Sequence, residues 1–289
     1  MNIAHSVSFI VPCFNEEESV QRTADSIREA MGSGLFEIVF IDDCSQDATF
    51  ERMQLAAAAD PRIRIIRNDV NMSLGGSYKR GVAAAHHDYT IMVPGDNAFP
   101  AASIRQIIGN AGRADIVIPE VVGPAVRTLF RLVASRGFTL LMNWLFWLDV
   151  GYYNGAVLHR TELLRSINIT TNGFAYQAEA LVKLITRGAS YVQCQVRIQE
   201  RTAGRSSALR LKNQISVWVT IARLLYEVGL FRLIPLQRGV ARGKAVAVRG
   251  ESALDSDGSG QHGWPPLPRR SPDSSGGQSD RQMDQTKQD

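Results

Sequence analysis

The chain has 289 residues, 45% hydrophobic and 21% charged, with a formal net charge of +4; that suits one large α/β domain with an extension and gives no ground for nucleic-acid binding. Its three cysteines, Cys13, Cys44 and Cys194, lack metal-type spacing and fit a reducing cytosolic compartment as small buried thiols. Met1 to His5 carries no basic stretch ahead of an apolar core, so no signal peptide is expected, and no uninterrupted apolar run reaches the length of a membrane span.

The predicted elements begin with a strand at 7–11 and a helix at 16–30, then a strand at 36–41 and a helix from about Asp47, a plausible N-cap. A third strand at 62–66 precedes a helix at 77–85; further strands follow at 89–93 and 115–118. Such alternation predicts a mainly parallel sheet covered on both faces, with ligands beyond the carboxyl ends of its strands. Residues 127–148 are helical by composition, and the apolar run 138–148 is expected to be core. Residues 209–236 are amphipathic, with Arg210, Lys212, Arg223 and Arg232 among Trp218, Leu224, Leu225, Tyr226, Leu230 and Phe231. That pattern fits a helix lying in a membrane interface or one docked on the sheet domain. The remainder, 237–289, is rich in Asp, Ser, Gly, Pro and Gln and is expected to be disordered.

The chemistry gathers where strands end. The first closes in VPCFNEE: Pro12 stops the pairing, Phe14 offers a flat apolar face, and Asn15 and Glu16 open a helix. The second closes in Ile41-Asp42-Asp43, two adjacent acids that either cap turns or await a ligand with N–H and hydroxyl donors, such as a nucleoside. The pair Gly75-Gly76 leads into a helix and would let backbone approach a ligand closely, though no GxGxxG fingerprint follows the first strand. The fourth strand runs into VPGDNAFP, with the single acid Asp96. Arg127, Arg131 and Arg136 recur at near-helical spacing, either as a solvated basic face or as a seat for an anion. His86, His87 and His159 read as unremarkable.

Together, VPCFNEEESV, FIDDCSQDAT, NMSLGGSYKRG, GDNAFP, GYYNGAVLHRTEL, GFAYQAEALVKLITRG and VRIQERTAGRSS follow one another over roughly residues 6–210. In that order they resemble the family 2 glycosyltransferases of the GT-A fold, and within them the dolichyl- or polyprenyl-phosphate sugar synthases. The resemblance implies a Rossmann-like GT-A domain over 1–208. It implies a nucleotide sugar, UDP- or GDP-linked, held by Pro12, Phe14, Glu16, Ile41, Asp43, Gly95, Asp96 and Arg201. It also implies a polyprenyl phosphate held by Arg127, Arg131 and Arg136, and a site on the inner face of the membrane. The family usually has Asp-x-Asp-x-Gln where this chain has Pro94, Asp96 and Ala98. Mg²⁺ or Mn²⁺ is therefore expected to be weakly held, by Asp96 and with Asn97 as a neutral oxygen. An acceptor phosphate attacks without a strong protein base. A carbohydrate hydroxyl would need one, and Glu179 is that candidate; a third reading is a module that binds these ligands without catalysis.

Overall fold

The structure, a computed structural model, describes residues 4–122, 129–199 and 211–233, and for 129–132, 211–216 and 229–233 the backbone alone. In chain order the elements are β1 (Val7–Cys13), α1 (Val20–Met31), β2 (Phe36–Asp42), α2 (Thr49–Ala59), β3 (Ile63–Arg67), α3 (Ser73–Ala84) and β4 (Tyr89–Met92). There follow α4 (Ala101–Ile108), β5 (Ile116–Val121), α5 (Leu129–Phe146), β6 (Leu158–Arg160), α6 (Thr161–Arg165), α7 (Tyr176–Thr186), β7 (Tyr191–Val196) and α8 (Leu211–Leu233).

The strands form one sheet in the order β3-β2-β1-β4-β6-β5-β7. β6 pairs antiparallel with both β4 and β5, while the other pairings are parallel, so only β6 runs against the rest. Every residue of β1 and β2 is buried, as expected of central strands covered on both faces. Alternation then sends Val7, Phe9 and Val11 into one core with α1 and α4, and Ile10, Val39 and Ile41 into another with α3, α5, α7 and α8. α1 shows why these helices form: Val20, Thr23, Ala24, Ile27, Ala30 and Met31 recur at helical spacing on its buried side.

The first four predicted strands recur as β1 to β4 within a residue or two at either end. α2 begins at Thr49, whose N–H donates to Asp47 Oδ1 at 3.0 Å. α3 begins earlier than expected, at Ser73, so the glycine pair lies inside its first turn. β6 and β7 were not foreseen. α5 is only half core: Met142 and Phe146 are buried, while Val133, Leu140, Trp144 and Trp147 stand 61–79% exposed. α8 docks one face on the domain through Ile221, Leu224 and Val228 and exposes Trp218, Val219, Leu225 and Tyr226. Among the described residues no helix is long and apolar enough to cross a membrane. The predicted tail lies outside them.

Candidate functional site

The carboxyl ends of β2, β1 and β4 lie side by side. Asp43 N–H donates to Cys13 O at 2.9 Å, and Gly95 N–H to Pro12 O at 3.2 Å. The two segments leaving β2 and β4 are thus tied to the last residues of β1, which sets Asp43 and Asp96 on either side of it. Gly95 is required here, because a Cβ on it would stand 2.3 Å from Cys13 Sγ. Asn15, Cys44 and Asn97, one after each of the three strands, have φ of 56°, 65° and 54°. Asn adopts left-handed backbone readily, whereas for Cys44 it costs about 1 kcal/mol or more; the three turns lie on one rim.

The adjacent acids divide their roles. Asp42 is fully buried; its Oδ1 accepts from Ser45 N–H at 3.0 Å, and Arg67 Nε lies 3.1 Å from Oδ2 as an ion pair. It holds the turn. Asp43, 5% exposed, takes Asn68 Nδ2 at 2.6 Å and Met72 N–H at 2.8 Å on Oδ1. Asn68 also donates to Ser77 Oγ at 2.9 Å and accepts from Arg80, so α3 and the end of β3 orient the Asp43 carboxylate.

Asp96 is buried and its Oδ1 accepts from Ala98 N–H at 3.1 Å. Asn97 does not turn a spare oxygen to the rim: its Oδ1 accepts from Ser26 Oγ on α1 at 2.9 Å. Among the described residues no three His, Cys, Asp or Glu side chains gather to hold a metal. This set does not fit a metal centre built by the protein alone.

Phe14 is 47% exposed beside these acids. Pro12 and Ile41 are buried, Ile41 with its side chain in the α3-side core, so neither offers a side chain to solvent. Glu16 receives no ligand at its own N–H, which donates to Thr49 Oγ1 at 2.7 Å. The Cys13 thiol is pushed well up, first by burial and then by the charges of Glu16, Asp42, Asp96 and Asp47.

Two further readings change, those of the glycine pair and of Glu179. The glycine pair receives backbone, but of the protein: Gly75 and Gly76 N–H donate to Asn172 O at 2.7 and 3.3 Å, and a Cβ on Gly75 would meet Thr171 O at 2.7 Å. Glu179, the candidate base, is 1% exposed and accepts from Thr170 N–H, Thr170 Oγ1, Thr171 N–H and Lys183 Nζ at 2.7–2.9 Å. Burial raises its carboxyl, and the bonds from Lys183, Thr170 and Thr171 outweigh that, bringing it down to about 2. A carboxylate so satisfied is a poor proton acceptor. His159 is fully buried, and burial holds its ring neutral with a pKa of about 3. Arg136 stands exposed on α5; Arg127, Arg201 and the side chain of Arg131 lie outside the described residues.

Asn68 went unforeseen, although it directly follows β3 and strand ends were the place to look. The Thr170–Asn172 segment carries no motif and left no signal of that kind.

Comparison with known proteins adds the following. A profile described as glycosyl transferase family 2 matches residues 8–167, more than half of the chain. Undecaprenyl-phosphate mannosyltransferase of Micrococcus luteus is 24% identical over 211 residues, 68% of this chain and 85% of that protein. The succinoglycan biosynthesis protein ExoO of Rhizobium meliloti is 32% identical over 108 residues, 37% of this chain, and the match spans only 30% of that relative. Glucosyl-3-phosphoglycerate synthase of Mycobacterium tuberculosis, solved with Mn²⁺, UDP-glucose and phosphoglyceric acid, superposes with a TM-score of 0.60 at 17% identity, over 78% of this chain and 80% of that one. That likeness establishes a shared GT-A fold.

Proposed function

The chain belongs to glycosyl transferase family 2, and from that premise we propose that it moves a sugar, with inversion, from a nucleotide-sugar donor to a polyprenyl phosphate. The observation that carries this reading is the convergence of Asp43, Asp96 and the exposed ring of Phe14 on one rim at the ends of β2, β1 and β4. The aromatic face suits a nucleobase and the oriented Asp43 carboxylate suits N–H or ribose hydroxyl donors. The acceptor class is supported by the M. luteus relative, whose name states a polyprenyl phosphate and which matches along most of its length.

A phosphate monoester is already anionic near neutral pH. Its oxygen attacks the anomeric carbon, the bond from that carbon to the diphosphate oxygen breaks, and the nucleoside diphosphate leaves with the electron pair. The protein's work is then to align two phosphorylated partners and to stabilise the departing charge. Asp43 and Phe14 hold the nucleoside end. By the family resemblance, the diphosphate is assigned to Arg201 and the acceptor phosphate to Arg127, Arg131 and Arg136. Were Mg²⁺ or Mn²⁺ brought in on the donor diphosphate, Asp96 would be the protein carboxylate to hold it, and the ion would neutralise charge on the leaving group. The solved relative binds Mn²⁺ together with UDP-glucose. The enzyme works at the cytoplasmic membrane face, supported by the outward apolar and aromatic faces of α5 and α8.

The rival, transfer to a carbohydrate hydroxyl with Glu179 as base, is disfavoured by the burial and ion pairing of that carboxylate. The test is incubation of the full chain with UDP- and GDP-sugars, Mg²⁺ or Mn²⁺, and either polyprenyl phosphate or free sugars. Product lipid that carries sugar supports the proposal. Transfer to sugars alone, or nucleotide binding without any turnover, refutes it.

A further inference from the structure

One set of buried polar groups that the reaction does not use runs from α7 to α8 and α3. Lys183 Nζ reaches Glu179 Oε1 at 2.7 Å, Glu227 Oε2 on α8 at 2.8 Å and Asn168 O at 2.8 Å. Thr171 Oγ1 lies 2.9 Å from Thr220 Oγ1 on α8, both residues 5% exposed, and Arg223 of α8 donates to Thr170 Oγ1 at 2.6 Å. On its other side the same short segment meets α3: Asn172 O takes Gly75 and Gly76 N–H, and Lys79 Nζ donates to Asn172 Oδ1 at 2.6 Å. The first turn of α3 is in turn joined to the rim, because the Met72 N–H just before it donates to Asp43 Oδ1.

We propose that Glu179 is a positioning residue: by fixing residues 170–172 between α8 and the first turn of α3, it lets the seating of α8 set the geometry of the nucleotide end of the site at Asp43. Every link is a hydrogen bond between named groups: Glu179 holds the front of the segment and Asn172 joins its end to α3. Glu179 accepts from the N–H groups of both Thr170 and Thr171, so its carboxylate fixes the backbone of those two residues directly. The close approach at Gly75 makes the α3 end unforgiving, since backbone meets backbone there with no side chain to yield. The inference rests on the proposed function only in taking Asp43 as a nucleotide contact.

The test uses Thr220→Val, Thr171→Val and their combination in the full chain, with Glu179→Gln beside them. Thr220 lies on α8 and touches no residue of the rim in this network. Hydrogen exchange across residues 71–78 reads the coupling without any ligand, and calorimetric titration with UDP and with GDP reads its consequence. We expect faster exchange at the first turn of α3 in Thr220→Val. We expect nucleotide affinity to fall about fivefold, and the double variant to be no worse than either single one. Rescue by Thr220→Ser, which restores the hydroxyl, completes the expectation. Unchanged exchange at 71–78 in folded Thr220→Val overturns the coupling whatever the ligand does. Altered exchange with wild-type nucleotide affinity overturns the positioning role. If the wild-type chain binds neither nucleotide, it is the proposed function that fails, and exchange still decides the coupling.

Discussion

Gly95 N–H donates to the carbonyl of Pro12 at 3.2 Å, and this one bond carries Asp96 from the end of β4 onto the rim formed by β1. Asp96 is the single acid of the stretch VPGDNAFP that leaves β4. Replacing it by Asn keeps an oxygen for Ala98 N–H. The expected outcome of Asp96→Asn is an unchanged melting temperature with kcat lower by about 100-fold. EDTA should likewise abolish turnover in the wild type, which high Mg²⁺ or Mn²⁺ restores; radiolabelled sugar transfer to lipid measures both.

Asp43 is oriented by Asn68 and by the Met72 N–H. Asp43→Asn retains an acceptor of the same shape but loses the charge that strengthens bonds to ligand donors. Nucleotide affinity should fall by about 1.5–3 kcal/mol, some tenfold to a hundredfold. Asn68→Ala, which loosens the carboxylate without removing it, should cost less. Titration calorimetry with UDP and GDP separates the two.

Glu179 makes a prediction about acid. Its carboxyl falls from 4.5 to about 2 on folding, so its charge stabilises the fold above about pH 4.5, and that contribution is lost as the pH drops through about 2. Wild-type stability to urea should therefore decline from about pH 5 toward about pH 3, and Glu179→Gln should flatten part of that slope. At neutral pH the same variant leaves Lys183 with Glu227 as its remaining carboxylate, and should cost about 3 kcal/mol.

Trp147 is 79% exposed and has φ of 58°. Its position is imposed by Asn143, whose Oδ1 accepts from Val150 N–H and Tyr153 Oη while its Nδ2 donates to Val150 O. A bulky side chain in left-handed backbone is costly, and Asn tolerates that region better. Trp147→Asn should raise stability by about 0.5–1 kcal/mol. The same change, combined with Trp144→Ser, should reduce flotation with anionic liposomes. A gain in stability with unchanged flotation would remove these tryptophans from any membrane contact.

The rim was legible because β1, β2 and β4 are short, mostly apolar and β-branched runs, and a chain that alternates such runs with helices places their ends together. What was not legible depended on contacts between distant segments. Glu179 and Lys183 have the i,i+4 spacing of an ordinary surface pair, and nothing local says that residues 168–172 and α8 cover them. Gly75-Gly76 looked ready for a ligand, since a glycine pair signals close approach without naming what approaches. β6 has only three residues and borrows its stability from β4 and β5. Asp42 and Asp43 are neighbours of identical type, and only the partners Arg67 and Asn68 separate the turn-holding acid from the oriented one.

The reversal of β6 has a practical corollary. Since this strand starts where β4 finishes, the stretch from Trp147 to Val157 must travel back over the same rim before the chain can rejoin the sheet. The stretch is pinned by the buried Val150, Tyr153, Ala156 and Val157, so only exposed positions such as Asp149 and Asn154 can drift without disturbing the core. Engineering of this connection is therefore confined to those few outward side chains.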